Sequence, residues 1–406
     1  MEPFEQAKKM IDKVSRLMGL SEEEKKLLLT HQKIEKHRLT VNGKTYEAWR
    51  IIHNNALGPG KGGIRYHPDV NESEVKALSF WMSIKNSLAG LPYGGAKGGI
   101  RFDPRKVDEK TLEEISRAYI RAFHKGLGSD KDIPAPDVYT NPKIMGWMLD
   151  EYEKITGKHD PAMITGKPLI LGGIKLRESS TAKGGFIVLK ELLKKKGEDP
   201  SKITVAVQGF GNAGSFVAKM CHEDGMKVVA VSDSKGGVYN QDGLDVNEVI
   251  EVKKKTGRVS EYHGGKPITN EDILTLDVDV LILAALEGVI TEENAGNVKA
   301  RYIVELANGP ITPEGDDVLF KNGVIVVPDV LANSGGVVGS YLEWVYGKTG
   351  MYLTDGELES RLEERMKESF DRVYSLAEER KVDLRTAAYI ISIRRILDAE
   401  RARGNI

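Results

Sequence analysis

The chain of 406 residues has a single cysteine, Cys221, and can form no internal disulfide. That fits a reducing compartment, and Cys221 falls on the apolar side of a helical pattern, as a small core residue does. Net charge is also nearly absent, with 59 Lys plus Arg against 60 Asp plus Glu. No global field therefore draws the chain to nucleic acid or to an anionic membrane surface. The basic runs that do occur, Lys194–Lys196 and Lys253–Lys255, close amphipathic helical patterns and complement the helix dipole there. No apolar run approaches the ~18 residues of a membrane span. The N-terminus, MEPFEQAKK, is acidic and amphipathic, unlike a signal peptide. The eight histidines are scattered without ligand spacing, so metal chemistry finds no support. Repeats and low-complexity tails are missing as well. The expectation is a soluble, cytoplasmic protein of two domains with no nucleic-acid or membrane partner.

What is present is concentrated in a few glycine-rich segments. Leu91–Gly99, LPYGGAKGG, holds one lysine, Lys97, among four glycines and one proline, with no other charge. Glycine lets a ligand approach the main chain closely, at an entropic cost. Two more lysines keep similar company: Lys61 in GPGKGGIR and Lys85 in WMSIKNSLAG. An acid, Asp137, follows in IPAPDV. Three amines and a carboxylate gathered by folding would hold a small dianion and leave one amine for chemistry. Arg65 and Tyr66, just after the Lys61 turn, read either way and stay outside this candidate site.

Taken in order, Phe4, Ala7, Met10, Ile11, Val14, Leu17 and Met18 recur at helical steps up to Gly19. Ser21-Glu-Glu-Glu24 is a capping box for the next helix. Two strands then flank Asn42-Gly43, a pair suited to a type I′ hairpin. Helices are expected over Glu72–Leu88, Glu109–Gly126 and Pro142–Ile155, and TGKHDPAMITGKPLILGG reads as an inter-domain linker. Trp49, Trp81, Trp147 and Trp344 sit within apolar patterns and read as core. From Ile203 short apolar runs (ITVAVQGF, KVVAVSD, VDVLILAA, RYIVELAN, VIVVPDV) alternate with helical ones. That alternation indicates a parallel sheet covered on both faces. Two long charged helices, Asp355–Arg380 and Leu384–Arg403, close the chain.

Gln208-Gly-Phe-Gly-Asn-Ala-Gly214 follows the strand ITVAV and opens the helix SFVAKMCHED. A G-x-G-x-x-G turn in that context presents backbone N–H groups and a helix dipole to a pyrophosphate. Gly209, Phe210, Gly211, Asn212, Ala213 and Gly214 are thus candidate cofactor residues. Asp233 ends the next strand, about 20 residues on, where an acid for the ribose hydroxyls belongs. Its neighbours Ser234 and Lys235 suit a 2′-phosphate. NAD, NADP or both remain open.

GPGKGGIRYHP, LPYGGAKGG, PAPDV, GFGNAG, ANGPITPEGD and LANSGGVVGSYLEW, in this order and spacing, resemble the glutamate/leucine/phenylalanine/valine dehydrogenase family. The resemblance runs through nearly the whole chain and looks most like the hexameric, short-subunit glutamate dehydrogenase branch. It implies an α/β fold: a Rossmann-type doubly wound dinucleotide domain plus an α/β substrate and oligomerisation domain. The boundaries would be 1–178 for substrate and oligomerisation, 179–333 for the dinucleotide, and 334–406 for helices connecting back. Substrate would lie in the cleft, with Asn333–Trp344 and the last helices as hinge. The implied activity is reversible NAD- or NADP-dependent deamination of L-glutamate to 2-oxoglutarate and ammonium, in a homo-oligomer.

By the same resemblance Lys97 is the catalytic lysine and Asp137 the acid that shuttles a proton to the substrate amine. Lys85, with backbone near Gly63, takes the α-carboxylate, whereas Lys61 and Ser340 take the γ-carboxylate. Ala135 and Val337 line the side-chain pocket; Thr181, Asn308 and Asn333 lie on the cofactor side. Burial and like charge from Lys61 and Lys85 should ease deprotonation of Lys97. Departures fall on the cofactor side. Ile174 and Leu176 stand where the family has a small polar residue and a glycine, and Gly288 replaces an amide. Two other readings follow: a dehydrogenase for leucine, valine or phenylalanine, or a catalytically weak member kept as a regulatory subunit.

Overall fold

The apolar periodicity at the start of the chain folds as α1 (Pro3–Met18), and the Ser21 capping box opens α2 (Glu22–Leu29). The computed structural model describes residues 3–406; the first two residues of the expected N-terminal domain lie outside them. By internal contacts the chain divides into two units. One comprises the residues up to Arg177 with Val337–Glu359 and Tyr389–Ile406; the other comprises Glu178–Gly336 with Ser360–Ala388.

In the first unit β1 (Lys33–Val41) and β2 (Lys44–Asn54) form the expected hairpin. Asn42 (φ 52°) and Gly43 (φ 73°) both take the left-handed conformation of a type I′ turn. Then come β3 (Gly60–His67), α3 (Glu72–Leu88), β4 (Gly95–Arg101), α4 (Glu109–Phe123), β5 (Asp132–Pro136) and α5 (Pro142–Thr156). Asn71, Asp108 and Asn141 cap the three helices by accepting backbone N–H bonds. The sheet order is β1-β2-β4-β3-β5, with β3 parallel to both of its neighbours. One face packs Ile64, Tyr66 and Ile100 against Ile115, Tyr119 and Phe123 of α4 and Met145 and Met148 of α5. The other face meets α3 through Ile51 and Val75.

Two expectations need correction here. The helix expected to reach Gly126 ends at Phe123, after which the chain turns back toward β5. The stretch taken for a linker has a buried middle: Met163 and Ile164 join the core, and Thr165 and Lys167 are buried, while Leu169–Leu171 are exposed. Its glycines and prolines make tight turns inside the first unit, which composition alone cannot distinguish from a flexible connection. Of the tryptophans, Trp49 is buried, whereas Trp81, Trp147 and Trp344 are half-buried.

The second unit begins within α6 (Leu176–Lys196) and alternates β6 (Thr204–Gln208), α7 (Asn212–Glu223), β7 (Lys227–Asp233), β8 (Gly236–Tyr239), α8 (Val246–Thr256) and β9 (Lys266–Ile268). It continues through β10 (Val280–Leu283), α9 (Glu292–Ala295), β11 (Tyr302–Glu305), α10 (Pro313–Lys321), β12 (Ile325–Val327) and α11 (Asp329–Ala332). The chain closes with α12 (Gly335–Thr349), α13 (Asp355–Arg380) and α14 (Leu384–Ala402). Strand order is β12-β11-β10-β6-β7-β8-β9, parallel from β12 to β7. This is a doubly wound sheet whose order reverses beside β6. β8 and β9 add antiparallel edge strands that the sequence did not announce, being short and interrupted by glycine and proline. Cys221 is a buried core residue of α7, and burial pushes its thiol up to about 12. Among the described residues no helix is long and apolar enough to cross a membrane.

Candidate active site

Strand alternation decides which side chains can meet. In β3, Lys61, Gly63 and Arg65 point to one face because side chains repeat every two residues. The parallel pairs Ile64↔Gly98 and Ile64↔Pro136 set Gly63 beside Lys97 on β4, and Arg65 beside Asp137 just past β5. This is the face that α3 covers, and α3 contributes Lys85 and Glu74. Gly63 has no room for a side chain: a Cβ would lie 2.7 Å from the Pro136 carbonyl oxygen and 2.8 Å from Asp137 Cβ. Glycine thus allows the Asp137 turn to close onto the strand. On the opposite face Arg50 braces the same strands, donating to both Asp132 carboxylate oxygens and to the Gly62 carbonyl.

Lys97 and Asp137, 40 residues apart in sequence, are joined by a hydrogen bond of 2.9 Å from Nζ to Oδ1. The second carboxylate oxygen accepts from Arg65 Nε at 2.8 Å, and Arg65 also donates to Glu74. Thr140 Oγ1 accepts the Asp137 backbone N–H at 2.6 Å and fixes the turn. Burial pushes the Lys97 ammonium below its ordinary range, opposed by Asp137 and reinforced by Arg65. Although burial favours its neutral form, Asp137 is held well below the usual carboxylate range by Lys97 and Arg65. The expected ease of deprotonating Lys97 is thus present, but the strongest like charge comes from Arg65, not from Lys61 or Lys85. Arg65 is a residue that sequence reasoning left aside.

Lys61 is 1% exposed. Its Nζ makes only long contacts to the carbonyls of Ile133 (3.4 Å) and Pro134 (3.5 Å). Among the described residues no carboxylate pairs with it. Burial lowers its proton affinity most, then the positive charges of Arg177 and Arg50, against Glu343 and Asp132. Lys85 is buried near the end of α3, and Ala135 is buried on β5. Ser340 is buried and Val337 half-buried on α12. That helix is anchored by Glu343, one turn beyond Ser340. Its fully buried carboxylate accepts from Lys167 Nζ (2.6 Å) and from the Gly166 and Lys167 backbone N–H groups. Lys167 and Glu343 are polar members of this interior that no motif announced.

The second unit offers a cradle for a dinucleotide. Gly209 adopts φ +92°, and a Cβ on Gly214 would lie 1.7 Å from the Gly209 carbonyl oxygen, so both must be glycine. Gly211 is the N-cap of α7, has no side-chain cap, and faces open space where a Cβ would meet nothing within 4 Å. The first-turn N–H groups of a 12-residue helix are thereby left for an anion, at the switch point between β6 and β10. Asn212 is exposed and ties α7 to α6 through the Glu178 carbonyl; Ala213 is half-buried and Phe210 buried. Asp233 Oδ1 accepts from the Lys235 backbone N–H, and Oδ2 from the Val259 N–H, with Lys253 Nζ at 3.2 Å. Ser234 and Lys235 beside it are exposed. Asn333 Nδ2 donates to Asn308 Oδ1 at 3.1 Å, so these two distant residues do meet, and Thr181 is half-buried on α6. These residues fit a dinucleotide.

Residues 172–404 match the family model described as Glutamate/Leucine/Phenylalanine/Valine dehydrogenase, and residues 30–154 match that of the Glu/Leu/Phe/Val dehydrogenase dimerisation domain. The chain belongs to this family. It is 49% identical over 364 residues to a cryptic catabolic NAD-specific glutamate dehydrogenase of Bacillus subtilis, covering 89% of this chain and 85% of the relative. To an NADP-specific glutamate dehydrogenase of Saccharolobus shibatae it is 47% identical over 99% of this chain and 96% of the relative. The crystal structure of glutamate dehydrogenase from Peptoniphilus asaccharolyticus superposes with TM-score 0.89 at 38% identity, covering all of both chains. The leucine-bound hetero-hexameric glutamate dehydrogenase of Thermus thermophilus gives TM-score 0.93 at 34% identity, covering 99% and 97%.

Three departures of this family member have a local setting. Gly288 takes φ +62°, a left-handed conformation that glycine adopts most readily, and its N–H bonds the Gly309 carbonyl at 2.9 Å. Leu176 is buried at the start of α6 and Ile174 is half-buried before it, so both serve packing.

Proposed function

We propose that the first unit binds L-glutamate and the second the dinucleotide, so that the chain acts as a glutamate dehydrogenase. The deciding observation is Lys61: a buried ammonium with no carboxylate partner. Burying such a charge unpaired is costly, and an acidic side chain of the substrate offsets that cost. A leucine, valine or phenylalanine side chain would leave it unmet.

Lys61 and Ser340 hold the γ-carboxylate, Lys85 with backbone near Gly63 holds the α-carboxylate, and Ala135 and Val337 flank the side chain. Asp137 takes the proton from the substrate ammonium, since a free amine is needed before Cα can give up hydride. Bound NAD or NADP supplies the hydride acceptor. Lys97, whose burial favours the neutral amine, then activates the water that attacks the substrate imine. Gly209–Gly214 hold the pyrophosphate, Asp233 with Ser234 and Lys235 the adenosine ribose, and Thr181, Asn308 and Asn333 the nicotinamide side. In domain terms, 1–178 serves substrate and assembly, 179–333 the dinucleotide, and 334–406 connects back to the first part. The dimerisation-domain match and the hetero-hexameric Thermus relative support assembly into a closed oligomer, a homohexamer in our reading. The protein acts in the cytoplasm on glutamate, 2-oxoglutarate and ammonium.

Initial rates with 2-oxoglutarate and ammonium, using NADH and NADPH separately, test the proposal. We expect turnover with at least one cofactor and poor oxidation of leucine, valine and phenylalanine. Preference for an apolar amino acid would overturn the acidic-substrate reading; no turnover with any substrate would point to a catalytically weak member.

A further inference from the structure

The Lys97–Asp137 pair does not stand alone. Asp137 has two carboxylate oxygens; Lys97 takes one and Arg65 the other, at 2.9 and 2.8 Å. Arg65 is in turn shared with Glu74 from the first turn of α3. The result is a row of alternating charge, Lys97–Asp137–Arg65–Glu74, drawn from β4, the turn after β5, β3 and α3. The charged groups acting on Lys97 are Asp137, Arg65 and Glu74, and those acting on Asp137 are Lys97 and Arg65. Arg65 keeps about a fifth of its side chain exposed, so the row starts at a buried amine and ends toward solvent. A single guanidinium can bridge two carboxylates because its donors form a rigid fork.

We propose that Arg65 is a positioning residue of the proton-handling site: it holds one oxygen of Asp137 so that the other faces Lys97, and, balanced by Glu74, it sets the pH range in which the pair works. This rests on the reading of Lys97 and Asp137 given above and adds two residues to it. The sign follows from charge. Removing the cation at position 65 makes the pair hold its shared proton more tightly, so the rising limb of kcat/KM against pH moves up. Removing the anion at position 74 moves the same limb down.

The experiment is the pH profile of glutamate oxidation for wild type, Arg65→Met, Arg65→Lys and Glu74→Gln. Alongside it, the rate of Lys97 acetylation by acetic anhydride is followed against pH by peptide mass spectrometry. The second readout reports amine deprotonation without turnover, so it separates this proposal from the functional reading. We expect Arg65→Met to shift both midpoints up by roughly one pH unit and Glu74→Gln to shift them down. Arg65→Lys should restore the wild-type midpoint while kcat stays low, because one ammonium cannot span both carboxylates. If Arg65→Met does not fold, the downward shift in Glu74→Gln carries the test. Midpoints unmoved in Glu74→Gln, or lowered activity at every pH with no shift in Arg65→Met, would overturn the proposal. Absent glutamate turnover in wild type, with the Lys97 midpoints shifting as stated, would instead fault the assigned substrate.

Discussion

Burial and the positive charges of Arg177 and Arg50 disfavour an ammonium at Lys61, and the long carbonyl contacts with the charges of Glu343 and Asp132 oppose them only in part. In the proposed reading the substrate γ-carboxylate completes the balance. In Lys61→Leu that carboxylate would enter the pocket unpaired. Losing one partner of a buried ion pair costs about 3–5 kcal/mol, which is roughly two to four powers of ten in kcat/KM for glutamate. The same variant should gain activity toward apolar amino acids, since the pocket no longer holds an unmet charge. Steady-state kinetics on both substrate classes measure this, and unchanged glutamate kinetics would contradict the assignment. The physical signal for Lys61 was readable beforehand, because a lysine among glycines is placed by its backbone. Arg65 gave no such signal. Its partner Asp137 lies 72 residues away, and only the register of β3 against β5 brings the two together.

At the scale of elements, the second unit is fastened by Arg385 in the first turn of α14. Its guanidinium donates to Glu305 at the end of β11, Asp316 on α10 and Asp329 on α11, at 2.7, 2.9 and 3.2 Å. Asp329 also accepts the Gly309 backbone N–H, next to Asn308. Burial, opposed by Arg385, pushes the Glu305 carboxyl up to about 7. One cation therefore holds together three elements and the loop that carries Asn308. Arg385→Met would strand two buried carboxylates, Glu305 and Asp316, together with the half-buried Asp329, and should cost about 3–5 kcal/mol, seen as a drop of roughly ten degrees in the thermal midpoint. An unchanged midpoint would show that the elements hold without it. The strands and helices of this unit were largely legible, since continuous apolar runs alternating with helical ones leave few topologies. What joins them was not, because an arginine in a charged helix carries no mark of three carboxylates elsewhere in the chain. The same limit hid Glu343, whose partners Gly166 and Lys167 sit in a stretch that composition marked as a linker.

At the scale of the whole molecule, the proposed reading places two kinds of site on one chain, one on a sheet face and one at the ends of parallel strands. In the first unit a mixed sheet aligns Lys61, Gly63, Arg65, Lys97 and Asp137 on one face. In the second, a parallel sheet reverses its order beside the glycine turn at Gly209–Gly214. Separation of these roles makes a clear demand: chemistry should fail independently of dinucleotide binding. The decisive measurement is therefore made on Lys97→Ala. Reduced-cofactor binding, followed by nicotinamide fluorescence, is compared with the initial rate on 2-oxoglutarate and ammonium. The account predicts dinucleotide affinity within about twofold of wild type and kcat lowered by roughly 10³-fold or more, as for loss of a group acting in acid–base chemistry. A variant that keeps a kcat near that of wild type would contradict the central role of Lys97.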